Sequence, residues 1–135
     1  MSTWRRKALE LFYNIRFTFL HRDASIYSLI FELRRKVVQS HKDNDIEYLD
    51  KIYYYAEWCF NQEKRSYYIW NAICVGFYEH LVEDEIVRHA IPYRIRPYIF
   101  EQVQPLLKWR LEKNEEVFKE LLQQYNKINN TNFEC

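Results

Sequence analysis

The chain has 135 residues, of which 48% are hydrophobic. This length is typical of one domain that buries a core without metals or disulfides. One glycine and three prolines are too few for the tight turns that the hairpins of a β-sandwich or barrel require. A formal net charge of +1 argues against a dedicated nucleic-acid-binding protein. We therefore predict an all-α fold.

Apolar residues recur at helical spacing and predict a single-domain bundle of five or six amphipathic helices. We expect this domain to cover residues 1–128 and to be followed by a frayed tail, residues 129–135. The first helical segment runs from about Trp4–Leu20. The second begins near Ser25 and ends in the polar QSHKDND. The third starts at Asp45, a residue typical of helix N-caps, and ends in NQEKRS.

The fourth segment, residues 66–82, is apolar around most of its surface. A short fifth segment follows at residues 83–90, and then Pro92 and Pro97 break the helical pattern. In the long last pattern, Pro105 should start a new helix or kink the existing one.

The fourth segment contains the stretch WNAICVGFYEHL, which combines reactive residue types with core residue types. Helices that are apolar nearly all round lie in the middle of bundles, so we expect a central buried fourth helix. Ala72 and Gly76 are four residues apart and predict a close crossing with another helix, where a glycine is tolerated despite its helix propensity. The residues that form the apolar stripe are Trp70, Ile73, Cys74, Phe77 and Leu81.

Glu79 and His80 are candidate buried polar residues: Glu79 lies on the narrow face with Ala72 and Gly76, and His80 lies on the border of that face. A buried Glu79 needs a cation or a hydroxyl group as its partner, because unpaired buried charges are costly. In the catalytic alternative, Glu79 is a general base with Cys74 or His80 beside it. Cys74 and His80 are six residues apart on different helix faces, so they cannot pair within one helix. We favour a structural role and predict no catalytic residue.

No residue pattern indicates a metal or cofactor site. None of the four histidines has a glutamate three residues before it, as the ligand motif of a di-iron bundle requires. A single glycine excludes glycine-rich phosphate loops. His80 and Asp84 have i, i+4 spacing, but two ligands are too few for zinc. We expect no metal and no cofactor.

The cysteines and the N-terminal segment predict the compartment. Cys59, Cys74 and Cys135 have no Cys-x-x-Cys spacing, and the first two lie in apolar helical patterns, which favours reduced, buried thiols there. Glu10 and Arg16 interrupt the apolar run of the N-terminal segment, so we predict neither a signal peptide nor a membrane span. We expect a cytoplasmic protein.

Two basic clusters are candidates for nucleic-acid binding. They comprise Arg34, Arg35 and Lys36 in LRRKVV, and Arg94 and Arg96 in YRIRPY. Basic residues between aromatic residues can contact nucleic acid. No helix-turn-helix glycine or set of zinc ligands accompanies them, and short charge runs usually face solvent. Nucleic-acid binding is therefore a minority alternative.

The third helix carries a candidate partner-binding face opposite its apolar stripe, formed at spacings of three and four by Glu47, Asp50, Tyr54, Trp58 and Asn61. Aromatic residues anchor protein interfaces and charges steer association, so this face suits a partner with a basic surface. In the alternative, the first or last helix covers this face and Trp58 is a core residue.

IYYYAEWCF, residues 52–60, followed by WNAICVGFYEHL, resembles a family of small, functionally uncharacterised bacterial proteins. In that family an IY-x-x-AEWC segment precedes a WNA-x-x-V-x-FYEHL box. The match extends loosely over residues 25–122, through SIYSLIFELRRKV and RPYIFEQVQPLLKWRLEKNEEVFKEL, while the segment before Ser25 has no clear counterpart. The resemblance implies a bacterial cytoplasmic helical domain and a packing role for Trp58, and it supplies no activity.

Our leading interpretation is a protein-binding module rather than an enzyme. Its most concrete form is an immunity protein or antitoxin that neutralises a cognate toxin domain by direct binding, an analogy of size and class. One alternative is an enzymatic or metal-dependent activity centred on Glu79 and His80, and another is nucleic-acid binding through the basic clusters. We expect no membrane partner, and the sequence leaves a homodimer open.

Overall fold

The computed structural model describes residues 1–135 and contains helices but no strand, which confirms the predicted all-α class. It has eight α-helices, more than the five or six expected. They are α1 (Thr3–Leu11), α2 (Arg16–Leu20), α3 (Ile26–Lys42), α4 (Ile46–Phe60), α5 (Tyr67–Gly76), α6 (Glu85–Arg94), α7 (Pro97–Arg110) and α8 (Glu115–Asn129). Two 3-10 helices cover Tyr13–Ile15 and Tyr78–Val82. None of these helices is both long enough and apolar enough to cross a membrane.

The helices form two compact units, Met1–Phe77 and Tyr78–Cys135. In the first unit α3 packs on α2, α4 and α5, and α4 packs on α1 and α5. In the second unit the 3-10 helix Tyr78–Val82 packs on α6 and α7, while α8 packs on α6 and α7. Each unit therefore contains its own set of helix contacts, and the single domain remains a prediction.

Side-chain caps mark where α3 and α4 begin. The Ser25 side chain accepts a hydrogen bond from the backbone N–H of Tyr27 and completes a capping box with Ser28 at the start of α3. Asp45 caps α4 by accepting from the N–H of Tyr48 at 3.2 Å. These caps satisfy backbone donors that have no partner within the helix. The N-cap predicted at Asp45 is thus confirmed.

The first predicted segment is interrupted at Phe12, where α1 has ended and the backbone leaves helical angles (φ −124°, ψ 45°). Phe12 is fully buried. Its ring lies edge-on to Tyr48 and Tyr55, with centroids 6.0 and 5.6 Å apart. These contacts account for a break that helical periodicity does not reveal.

The prediction of one continuous fourth helix over residues 66–82 is wrong, because two elements cover this range. α5 ends at Gly76, Phe77 has φ −122° and ψ −67°, and a 3-10 helix follows. The ring of Phe77 is fully buried and lies edge-on to Tyr53, with centroids 6.1 Å apart. At its other end, α5 exposes Tyr67 and Tyr68. Tertiary packing of one aromatic ring therefore overrides the continuous helical pattern.

The predicted close crossing at Gly76 is confirmed. A Cβ atom at this position would lie 2.8 Å from Cγ2 of Ile30 in α3 and 3.8 Å from a ring carbon of Tyr27. Real Cβ atoms do not approach a branched methyl group this closely, so only glycine lets α5 lie so near α3.

The prolines of the second unit act differently from one another. Pro97 is at the first turn of α7, where its missing N–H removes no helical bond. Pro92 lies inside α6, which continues to Arg94, beyond the predicted end at residue 90. Pro105 lies inside α7 and does not start a new helix, since α8 begins only at Glu115.

Hydrogen bonds join the C-terminal tail to α8 of the second unit, and the fraying expected from its polar sequence stays a prediction. The amide nitrogen of Asn126 donates to the carbonyl of Phe133 at 2.9 Å, and its side-chain oxygen accepts from Thr131 and from the N–H of Phe133. The ring of Phe133 lies 5.4 Å from that of Phe100. One asparagine therefore supplies most of the hydrogen bonds that hold residues 131–133.

Candidate functional site

The face of α4 predicted to bind a partner is largely open to solvent. Glu47, Asp50 and Asn61 are exposed, and the ring of Tyr54 is 53% exposed between them. We call these residues, together with Trp58, the α4 face. Its acidic residues give it a negative character, and Tyr54 adds a large apolar area.

Trp58 occupies an intermediate position, neither fully exposed nor in the core. Its ring stacks on the buried ring of Tyr55, with an interplanar angle of 21° and centroids 5.8 Å apart. The Tyr55 hydroxyl in turn donates to the carbonyl of Trp4 at 3.0 Å. Burial raises the pKa of Tyr55 above its ordinary range, so the donor stays protonated. Trp58 is thereby fixed in orientation while part of its surface remains accessible.

Helix α1 limits the α4 face on one side. Lys7 donates to the Tyr54 hydroxyl at 3.0 Å, and its ammonium lies 4.9 Å from the centre of the Tyr54 ring. The hydrogen bond to Tyr54 raises the pKa of Lys7. Lys7 of α1 therefore covers one edge of this face, while Tyr54 stays more than half exposed.

Glu79 is 7% exposed and is paired with Arg110 of α7. The Nε and Nη2 atoms of Arg110 donate to the same carboxylate oxygen at 2.8 and 2.6 Å. Nη2 also lies 3.5 Å from Nε2 of His80, whose Nδ1 contacts Glu83. A neutral imidazole with its proton on Nδ1 satisfies both contacts, since Nε2 then accepts from Arg110.

This network gives Glu79 the cation partner that its burial requires. His80 is only partly buried, at 15% side-chain exposure. Asp84, the other residue considered for metal binding, accepts from the N–H of Val87 at 3.0 Å and caps α6. No group of three or more His, Cys, Asp or Glu side chains is arranged to hold a metal ion. The contacts of Glu79 and Asp84 correspond to structural roles.

The residues of the first basic cluster engage different neighbours. Arg35 pairs with Glu32 one turn away, whereas Arg34 lies over the ring of Phe31 at 5.7 Å. Consecutive helix residues point about 100° apart, so Lys36 faces a third direction. The other cluster lies in the second unit, with Arg94 at the end of α6 and Arg96 at the N-cap of α7; both make interactions.

The two helical cysteines have buried, protonated thiols. Burial raises the pKa of Cys74 to about 12 and that of Cys59 above its ordinary range. Thiolate is the nucleophilic form of cysteine, so neither side chain is activated for chemistry at neutral pH. Cys135 is exposed in the tail.

A second aromatic surface was not predicted from the sequence. Tyr27 of α3 contacts both Phe31, one turn further along α3, and Tyr68 of α5, with ring centroids 6.0 Å apart in each pair. Phe31 is 54% and Tyr68 53% exposed. We call these three residues and Arg34 the α3–α5 patch. Its only sequence signal is the spacing of Tyr27 and Phe31 beside the apolar stripe of α3; the contribution of Tyr68 depends on how α5 packs.

The chain belongs to the family described as a domain of unknown function (DUF7674), whose sequence profile matches residues 6–130. The resemblance to a family of uncharacterised function is thus confirmed. The match also includes most of the segment before Ser25, for which no counterpart was expected. No curated protein and no solved structure matches the chain.

Proposed function

We propose that this member of the DUF7674 family is a protein-binding module that uses the α4 face to bind a partner with a basic surface. The observation that carries the proposal is a pair of aromatic residues on one helix face: Tyr54 is exposed, and Trp58 is stacked on Tyr55 and partly accessible. The exposed carboxylates of Glu47 and Asp50 lie on the same face. Tyrosine and tryptophan are enriched at the energetic centres of protein interfaces.

The fixed orientation of Trp58 favours binding. Its stacking on Tyr55, and the hydrogen bond from Tyr55 to the carbonyl of Trp4, reduce the side-chain freedom that association would otherwise remove. The carboxylates of the α4 face would accelerate encounter with a basic partner and discriminate against an acidic one. Neither contribution requires chemistry at the interface.

The specific form of this proposal is an immunity protein or antitoxin that neutralises a cognate toxin domain by direct binding. A helical chain of this size resembles such inhibitors in class, and its acidic aromatic face would cover a basic surface on the toxin. In this form the action is stoichiometric, takes place in the cytoplasm, and requires no cofactor.

The test begins with affinity capture of a partner by the wild-type chain, followed by calorimetric titration of the purified pair. We expect Asp50→Lys and Trp58→Ala each to weaken binding at least about tenfold, because one reverses a steering charge and the other removes an anchor. Glu116→Lys, an exposed charge reversal on α8 in the second unit, is the matched control and should leave the affinity unchanged.

Thermal denaturation separates lost binding from lost folding. Asp50 is exposed, so Asp50→Lys should leave the melting temperature nearly unchanged. If Trp58→Ala has a much lower melting temperature than wild type, Trp58 acts as a core residue. The binding test then uses Asp50→Lys and Tyr54→Ala. Unchanged affinity in both of these variants would contradict the α4 face as the binding site.

A growth assay tests the specific form. Expression of the captured partner alone should arrest growth, and co-expression of the wild-type chain should restore it, whereas Asp50→Lys should restore it only partly. If the partner is harmless when expressed alone, the chain is not an immunity protein, although it can still be a protein-binding module.

No contact in the structure favours the two alternatives. The Glu79 oxygen that would act as a base already accepts two hydrogen bonds from Arg110. Within the basic cluster of α3, Arg34 and Arg35 engage different neighbours. We therefore propose neither an enzyme nor a nucleic-acid-binding protein.

A further inference from the structure

The α3–α5 patch is a contiguous group of aromatic rings, two of which are exposed to solvent. Phe31 and Tyr68 are each more than half exposed, although both contact Tyr27. On soluble proteins, contiguous exposed apolar patches often mark interaction sites, whereas single exposed apolar residues are common and need no explanation. The patch lies on α3 and α5, whereas the α4 face lies on α4, so the two surfaces are formed by different helices.

The charges of the two helices that form this patch indicate the chemistry of its partner. α3 contains Arg34, Arg35, Lys36 and Lys42 but a single acidic residue, Glu32, and α5 contains no charged residue. Glu32 is itself paired with Arg35. The guanidinium of Arg34 lies over the ring of Phe31, within the patch. Of these cations Arg34 lies within the patch, whereas Lys36 faces another side of α3, so it is Arg34 that gives the aromatic surface a charge opposite in sign to that of the α4 face.

We propose that the α3–α5 patch is a second docking surface, which binds an acidic protein segment that also carries aromatic or apolar side chains. Arginine and aromatic residues are the types most enriched at the centres of protein interfaces. A carboxylate of the partner would lie near the guanidinium of Arg34, and the partner's apolar side chains would cover Phe31 and Tyr68. This inference does not depend on the function proposed for the α4 face.

The ring geometry favours a protein segment over single-stranded nucleic acid. The rings of Tyr27 and Tyr68 are inclined by 77°, and those of Tyr27 and Phe31 by 45°. Sequence-independent binding of single strands stacks successive bases on open aromatic faces. Rings inclined to one another, one of them with a guanidinium over its face, do not provide a series of parallel faces.

The test uses three soluble polymers as probes: a random copolymer of glutamate and tyrosine, polyglutamate, and oligothymidylate. In titrations at low salt, the full chain should bind the copolymer about tenfold more tightly than polyglutamate, because only the copolymer brings apolar rings. Binding should weaken as salt is added, since ion pairs contribute.

Variants locate the binding on the molecule. The double variant Phe31→Ala/Tyr68→Ala should lose about tenfold in copolymer affinity. The matched control is Phe17→Ala, because Phe17 is also exposed, lies in the same unit and has an arginine, Arg16, over its ring at 4.6 Å. This control should leave the affinity unchanged. Circular dichroism melting checks folding, and Arg34→Glu serves as a second variant if the double variant does not fold.

Three results would overturn the proposal. If the copolymer binds no better than polyglutamate, the aromatic side chains of the probe add no affinity. An equal loss of affinity in Phe17→Ala would show that any exposed aromatic residue suffices. Tighter binding of oligothymidylate than of the copolymer, lost in the double variant, would assign the patch to nucleic acid instead.

Discussion

Glu79 shows how a single buried carboxylate is accommodated in this fold. Its charge is removed from water, and two guanidinium nitrogens of Arg110 approach one of its oxygens. Charge-assisted hydrogen bonds of this kind are stronger than neutral ones, although they must offset the desolvation of both groups. The pair therefore links the 3-10 helix Tyr78–Val82 to α7, and the loss of either partner should be costly.

We expect Arg110→Met to lower the free energy of unfolding by about 1–3 kcal/mol, because it leaves the Glu79 carboxylate buried without a cation. The double variant Glu79→Met/Arg110→Met should recover part of this loss, since it removes both charges. Urea denaturation measures both effects. Arg35→Met is the control: its partner Glu32 lies in an exposed pair, and its removal should cost under about 1 kcal/mol. Equal costs at Arg110 and Arg35 would contradict this account.

The sequence predicted that Glu79 needs a cation or hydroxyl partner, and it could not identify Arg110. The reason is distance along the chain, because the two residues are 31 positions apart and meet only when α7 packs on the 3-10 helix. The close crossing at Gly76 was easier to predict. Glycine weakens a helix, so a glycine within a helical pattern indicates that a neighbouring helix leaves no room for a side chain.

At the scale of elements, local patterns gave the fold class and most helix starts, but they failed at helix interruptions. Asp45 carries its capping signal in the sequence, so the start of α4 was predictable. Phe12 carries no breaker signal, and Phe77 follows Gly76, a glycine that the periodicity placed inside the helix; both rings contact aromatic partners from another element where a helix ends. Only the tertiary structure specifies those partners, so periodicity alone predicts one long helix in both places.

Pro105 provides a test at this scale. It lies within α7 and cannot donate a hydrogen bond to the carbonyl of Glu101, four residues earlier. Pro105→Ala restores this donor, and we expect the free energy of unfolding to rise by about 1–3 kcal/mol in urea denaturation. Pro97→Ala is the matched control. Because Pro97 is at the first turn of α7, where proline is favourable, its replacement should lower stability by up to about 1 kcal/mol. A loss of stability in Pro105→Ala would show that its ring packing outweighs the missing hydrogen bond.

For the whole molecule, the buried thiols and hydroxyls predict a loss of stability at alkaline pH. The Cys74 thiol has a pKa of about 12 in the folded chain, against an ordinary value of 9.0. The pKa values of Cys59 and Tyr55 are raised in the same direction by burial. The unfolded chain therefore releases these protons at lower pH than the folded chain does. Their contribution to stability is complete below about pH 9 and decreases as the pH rises towards 12.

Urea midpoints at about pH 8 and about pH 10 measure this effect, and the midpoint should be lower at the higher pH. Lysine also begins to lose its charge there, so a cysteine variant is needed to assign the cause. Cys74→Ala removes one of the groups concerned and should show a smaller decrease between the two pH values. An identical decrease in wild type and variant would mean that Cys74 does not contribute.

The division into two units also separates the natural fluorophores of the chain. Trp4, Trp58 and Trp70 belong to residues 1–77, and Trp109 is the one tryptophan of residues 78–135. Trp109→Phe therefore yields a chain whose tryptophan emission reports on the first unit, and a variant that keeps Trp109 alone reports on the second. Comparing their emission during denaturation reveals whether the two units unfold in one cooperative step or in succession, without any added label.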